Sequence, residues 1–270
     1  MRRIRPAIIT LSLLLTLGAC VDRFGQKPSP ENARRALKLR GISFDEKSFL
    51  SHAAGGDVWA VNAFLAAGMN PNVRNEREET ALIEAAARGD LNIVKALVGS
   101  EGTDINAVDK DRWTALMRAI MNERKQVATL LLEKNPDLNL QEKFGQTALM
   151  MAAWRMPELV QAMLDKGTNL NLRDADGETA LVRASLTPRP DIVRLLIERG
   201  AEVNLRNKFD ATPLMFAAAG GHLNVVRELL RAKADVSVKD YKGRTARDWA
   251  LKNGHTPVAD LLRDAEQGKV

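Results

Sequence analysis

The sequence predicts a mainly α fold, a solenoid of helix-turn-helix units joined by short β-hairpin-like turns. Three observations predict it. A threonine-led phrase recurs about every 33 residues, at Thr80, Thr114, Thr147, Thr179, Thr212 and Thr245. Within each unit the apolar residues return every three to four positions, which is the helical period. Between units stand short stretches holding Asp, Asn and Gly, the residues of tight turns.

The chain opens with MRRIRPAIITLSLLLTLGAC, a basic stretch followed by an apolar run from Ala7 to Leu17. That run is far shorter than the ~20 residues a membrane-spanning helix needs, and it fits the core of a secretory signal peptide over residues 1–19. Leu17-Gly18-Ala19-Cys20 resembles the lipobox of bacterial lipoproteins. The resemblance implies that the Cys20 thiol carries lipid and that Cys20 becomes the mature N-terminus, anchored by several acyl chains. The alternative is an ordinary secretory signal with an incidental cysteine. Against it, the single cysteine of the chain stands at the one position this chemistry requires. Val21 follows instead of aspartate, which in such lipoproteins goes with an outer-membrane destination. The expected place is therefore the cell envelope, lipid-anchored and facing the periplasm. Residues 20–30 form the lipidated N-terminus and a Gly- and Pro-containing tether. ENARRALKLRGI, within 31–44, reads as a capping helix over the first repeat.

The repeating phrases are TALIEAAARGD, TALMRAIMNER, TALMMAAWRMP, TALVRASLTPR, TPLMFAAAGGH and TARDWALKNGH. Second helices follow, as in LNIVKALV and LNVVRELLRAKADVS. This pattern resembles the ankyrin repeat over residues 45–264, in about seven copies with atypical ends, followed by a tail at 265–270. Each threonine stands where an N-cap hydroxyl accepts a backbone N–H of the first turn. Pro213 sits at the first helical position, where a missing N–H costs nothing. Pairs such as Ala85-Ala86, Ala152-Ala153 and Ala217-Ala218 let inner helices approach closely. Gly89, Gly221 and Gly254 suit helix ends that need φ > 0. The first copy lacks the threonine and the last ends in polar sequence, as terminal units with one solvated face should. Elsewhere the turn glycine is replaced by Glu78, Arg112 and Asp210. The second copy is longer at 99–102, the fourth shorter at WRMPEL, and the fifth carries Pro188 and Pro190.

Composition excludes several functions. The formal charge of +6 owes half its excess to Arg2, Arg3 and Arg5. No basic run interleaved with aromatics tracks a phosphate backbone, so no nucleic acid is expected. One cysteine allows no intramolecular disulfide and no Cys-based zinc site. His52, His222 and His255 lie in three separate repeats. No nucleophile–base pair, metal spacing or phosphate-binding loop is present. The expectation is a non-enzyme with no cofactor, no metal and no small-molecule substrate. Met117, Met150 and Met215 share one repeat position, which allows an oxidant-scavenging or soft-metal stripe. Ile83 and Val182 fill the same slot elsewhere, which favours core packing.

The ankyrin resemblance places recognition on the hairpin tips and the exposed end of the inner helix. Those positions hold Trp113 and Met121 in the third copy, Lys143, Phe144, Trp154 and Arg155 in the fourth, Phe209 in the sixth and Tyr241 in the seventh. Five of the 12 aromatic residues fall there, and aromatics and arginines dominate binding hot spots. The alternative is packing between neighbouring hairpins. Stacking is expected to bring Trp113, Phe144 and Trp154 onto one patch. The predicted function is a monomeric, envelope-anchored module that binds a periplasmic protein. An immunity protein against a toxin and an accessory factor for an antioxidant enzyme are rivals. An envelope enzyme is a third, without a catalytic constellation to support it.

Overall fold

A computed structural model describes residues 28–269 as helices joined by hairpin turns. The predicted signal peptide, the lipobox with Cys20 and most of the tether lie outside the described residues. The chain divides into two compact units at Lys134/Asn135.

The first unit begins with α1 (Pro30–Leu39), whose first turn is capped by the Ser29 hydroxyl accepting from Asn32 N–H. The pairs α2 (Glu46–Ala54) with α3 (Val58–Ala66), α4 (Ala81–Arg88) with α5 (Leu91–Val98), and α6 (Ala115–Met121) with α7 (Lys125–Glu133) follow. Helices α2, α4 and α6 pack side by side as an inner layer, while α3, α5 and α7 form the outer one. Helix α1 lies against α3. It is fixed by Arg40 stacked 3.6 Å above the Trp59 ring and by Arg34, which covers Phe44 and donates to the Ala67 carbonyl at 3.2 Å.

The second unit repeats the scheme. Its inner helices are α8 (Ala148–Arg155), α10 (Ala180–Ser185), α12 (Pro213–Ala219) and α14 (Ala246–Lys252), each packed on the next. Its outer helices are α9 (Val160–Asp165), α11 (Pro190–Glu198), α13 (Leu223–Arg231) and α15 (Thr256–Glu266). The shortened fourth copy replaces the start of its outer helix with a 3-10 turn, Pro157–Leu159. In the fifth copy Pro190 opens α11, as proline at a first helical position can.

Cores in both units are mostly aliphatic and alanine-rich, with Phe49 and Phe64 buried against each other in the first. Ala85, Ala86, Ala152, Ala153, Ala217 and Ala218 are all buried, which allows the close inner-helix contact. Met117, Met150 and Met215 are buried too, so their thioethers fill core space and offer no accessible stripe. His222 and His255 each use Nε2 toward a carbonyl of the preceding repeat, Leu186 at 3.1 Å and Ala219 at 3.0 Å. Each histidine therefore ties one repeat to its neighbour.

Threonine capping holds for Thr80, Thr114, Thr147 and Thr245, the last as a reciprocal box with Asp248. It fails at two positions. The hydroxyls of Thr179 and Thr212 are buried without a hydrogen-bond partner in the protein. At Thr212 the Met215 N–H goes instead to the threonine's own carbonyl, at 3.0 Å.

The hairpins share one anchor, five residues before each threonine: Asn75, Asp109, Glu142, Asp174, Asn207 and Asp240. One side-chain oxygen of each accepts two main-chain N–H groups across the turn, as Asp174 does from Asp176 and Glu178, both at 2.9 Å. The turn closes through a left-handed residue. Gly145, Gly177 and Gly243 serve in three hairpins, whereas Glu78, Arg112 and Asp210 adopt φ of 59°, 65° and 57°. A side chain there strains the backbone. Glu78→Gly and Asp210→Gly should each stabilise their unit by about 1 kcal/mol, seen as a rise of roughly 2–4 °C in Tm. A fall in Tm would show that the native side chains hold these turns.

Candidate protein-interaction site

In the first unit the predicted positions are largely occupied by internal contacts. Trp113 donates its main-chain N–H to the Asp109 carboxylate, and its side chain is half-buried, with the Arg118 guanidinium 4.8 Å from the ring. Arg118 in turn pairs with Asp109. Trp113 is thus partly covered by its own helix and is less open than an anchor should be. Met121, at the end of α6, is half-buried as well. Beside α2 and the first hairpin lies an open groove of about 650 Å³, lined by acids such as Glu46 and Glu76 and bases such as Lys47 and Arg77. No group of three or more His, Cys, Asp or Glu side chains among the described residues could hold a metal ion.

The second unit presents the open aromatics. Phe144 is 62%, Trp154 48%, Phe209 48% and Tyr241 59% exposed. Phe144 rides on a hairpin tip, where Lys143 beside it is exposed and its own carbonyl accepts Ala175 N–H at 2.7 Å. Trp154 closes α8 in the same repeat, with the exposed Arg155 guanidinium 4.3 Å over its ring. Phe209 and Tyr241 sit on successive tips tied by Tyr241 N–H to Phe209 carbonyl at 3.0 Å. Their rings meet at 5.7 Å, and the Lys242 ammonium stands 5.2 Å from the tyrosine. Phe209 and Tyr241 thus pack on each other, as neighbouring hairpins can, and remain partly exposed. Phe144 has no aromatic partner among the described residues.

Sequence reasoning missed Leu186, 39% exposed at the end of α10. It occupies the register of Trp154 one repeat later, so reading the fifth copy at the same offset would have found it. It also missed Phe216 against Trp249, ring centroids 5.7 Å apart, with Arg244 over the indole.

Two largely buried carboxylates brace this unit, Asp240 at a hairpin and Glu228 on an outer helix. Burial pushes the Asp240 carboxyl up. Hydrogen bonds from the Arg244 side chain and main chain, the Trp249 indole and the Lys242 main chain outweigh this and hold it well below the usual range. The Glu228 carboxyl on α13 is also held low, first by the Arg194 hydrogen bond, with burial opposing and Arg231 assisting. A carboxyl depressed on folding binds its proton more weakly in the folded state than in the unfolded one. Its stabilisation is complete above the unfolded value and is lost as pH falls through the folded one. The second unit should therefore lose stability below about pH 4, and Asp240→Asn should flatten that loss. Urea melts at pH 7, 4 and 3 test it; equal slopes for wild type and variant would remove Asp240 from the account.

The family model described as ankyrin repeats matches three successive stretches, residues 50–142, 135–207 and 200–269. An ankyrin repeat-containing protein of Treponema pallidum is 32% identical over 135 residues, half of this chain and 45% of that protein. The mitochondrial disaggregase of Bos taurus is 34% identical over 122 residues, 45% of this chain and 17% of that protein. The chain thus spans less than half the length of these relatives. Among solved structures, one chain from the complex of a predatory endopeptidase of Bdellovibrio bacteriovorus with an immunity protein is similar at TM-score 0.62 and 28% identity. That likeness covers 71% of this chain and 99% of the other.

Proposed function

Because the chain belongs to the ankyrin-repeat family, we propose that it is a protein-interaction module of the cell envelope. It binds a partner protein through hairpin tips and inner-helix ends and carries out no chemistry of its own. The observation that carries this reading is the set of open aromatics on the second unit, Phe144, Trp154, Phe209 and Tyr241. Large exposed rings beside Lys143, Arg155 and Lys242 are the composition of a binding hot spot with a basic rim. The test is a crosslinking pull-down from the envelope fraction with wild type and with the Phe144→Ala/Trp154→Ala double variant. A protein captured by the first and lost with the second supports the reading. Identical capture by both removes the aromatics from it.

Envelope anchoring belongs to the same proposal and rests on Leu17-Gly18-Ala19-Cys20 after a short apolar run. Cys20→Ser should move the protein from membrane pellets into the soluble periplasmic fraction. A wild-type protein that is cleaved yet partitions into the aqueous phase of a detergent extraction would end the lipid assignment.

One observation favours a narrower reading. The similar chain from the endopeptidase–immunity protein complex is matched over almost its whole length. On that reading the partner is a hydrolase that this chain silences. Adding the chain at stoichiometric amounts to a captured hydrolase should abolish its activity; undiminished turnover would leave only the general reading.

A further inference from the structure

The six turn anchors differ in what their second oxygen does. On Asp109 it accepts from Arg118, on Asp174 from Arg183 at 2.7 Å, and on Asp240 from Arg244 and the Trp249 indole, both at 2.9 Å. Asn75 and Asn207 anchor their turns without a charge. Glu142 departs from both solutions. It is 3% exposed, its Oε1 accepts from Phe144 and Gln146 N–H at 2.9 and 3.0 Å, and its Oε2 is enclosed with no hydrogen-bond partner in the protein. Met151 stands where Arg118 and Arg183 stand, four residues after the threonine, and it too is buried. The same repeat carries the irregular outer layer, a 3-10 turn and then six residues of α9, against nine in each of α11 and α13.

We propose that the hairpin 141–147 is the adaptable hairpin of the second unit, opening more readily than 174–179 or 240–245 so that Lys143 and Phe144 can reposition on a partner. The physical reason is the direction of the hydration change. Opening at Asp174 or Asp240 separates a carboxylate from its arginine. Opening 141–147 breaks the Gln141 side-chain bonds to the Gly145 and Arg173 carbonyls, as opening 174–179 breaks those of Arg173. At Glu142, however, it returns an unpartnered carboxylate oxygen to water instead of parting an ion pair. The purpose assigned to this opening rests on the binding reading; the opening itself does not.

Amide hydrogen exchange followed by NMR on the folded chain tests it without a partner. After correction for intrinsic rates, Phe144 and Gln146 should exchange at least about tenfold faster than Asp176, Glu178, Lys242 and Arg244. Glu142→Asn copies Asn75 and Asn207, and should slow Phe144 and Gln146 about tenfold while leaving the other hairpins unchanged. Met151→Arg supplies the missing cation and should act in the same direction. Wild-type protection at Phe144 and Gln146 equal to that at Glu178 and Arg244 overturns the proposal, as does faster exchange in Glu142→Asn. Either result leaves the binding reading untouched, and a failed search for a partner leaves this one untouched.

Discussion

Trp154→Ala and Phe144→Ala are each expected to weaken partner binding about 30-fold or more, because truncating an aromatic anchor commonly costs ~2 kcal/mol. Both rings belong to the fourth repeat, one at the end of α8 and the other on the hairpin tip that precedes it. Neither is needed by the core, which in this repeat is built from Leu149, Met150, Met151, Ala152 and Ala153. Helicity should accordingly survive, and circular dichroism checks that it does. Lys143→Ala and Arg155→Ala should act differently, slowing encounter and reducing salt dependence with a smaller effect on the bound state. Substitution of Asp165 or Lys166, exposed at the end of the outer helix α9, should leave affinity nearly unchanged. Binding titrations of these six variants against one partner decide the matter. Loss of binding at Asp165 and Lys166 with full affinity at Trp154 and Phe144 would place the partner on the outer helices.

Removing the chain from Thr245 onward should cost the second unit its solubility and cooperativity. Each repeat buries its apolar face only against its neighbours, so an array ends safely only where a unit with a polar outer face closes it. Helix α14 covers α12 through the Phe216–Trp249 contact at 5.7 Å, and α15 covers α13. His255 also reaches back to the Ala219 carbonyl at 3.0 Å. The deletion uncovers the α12 and α13 faces and breaks that tie, leaving an apolar surface that invites association. Light scattering should show oligomers, and thermal melts should broaden. A monomeric truncation with an unchanged, sharp melt would locate the cap in α12 and α13 themselves.

The repeat register, the helix pairs and most caps were legible in the sequence, and the turn anchors could have been, because their causes are local. A capping hydroxyl and its amide are three residues apart, an anchor and its second amide four, and an apolar stripe repeats within one helix. Thr80, Asp174 and Pro190 do what their neighbours in the chain require. The left-handed turns were legible too, through the register that places Glu78, Arg112 and Asp210 opposite Gly145, Gly177 and Gly243. Local reasoning failed at Thr179 and Thr212, whose hydroxyls the folded array encloses without a partner.

Exposure was decided by tertiary structure. Trp113 and Trp154 both fall at recognition positions in the sequence and both carry an arginine over the ring, yet the first is half-buried and the second exposed. Phe209 and Phe144 share one register, and only the first meets a ring, that of Tyr241. The second oxygen of Asp109, Asp174 and Asp240 likewise finds its arginine or indole through the packed geometry of tip and inner helix, up to nine residues away as in Asp109–Arg118 and Asp240–Trp249. The sequence by itself determined which residues could stand on the tips and inner-helix ends. Side-chain packing between tip, helix and neighbouring hairpin determined which of them face the solvent, because burial depends on atoms that are distant in the chain and close in space.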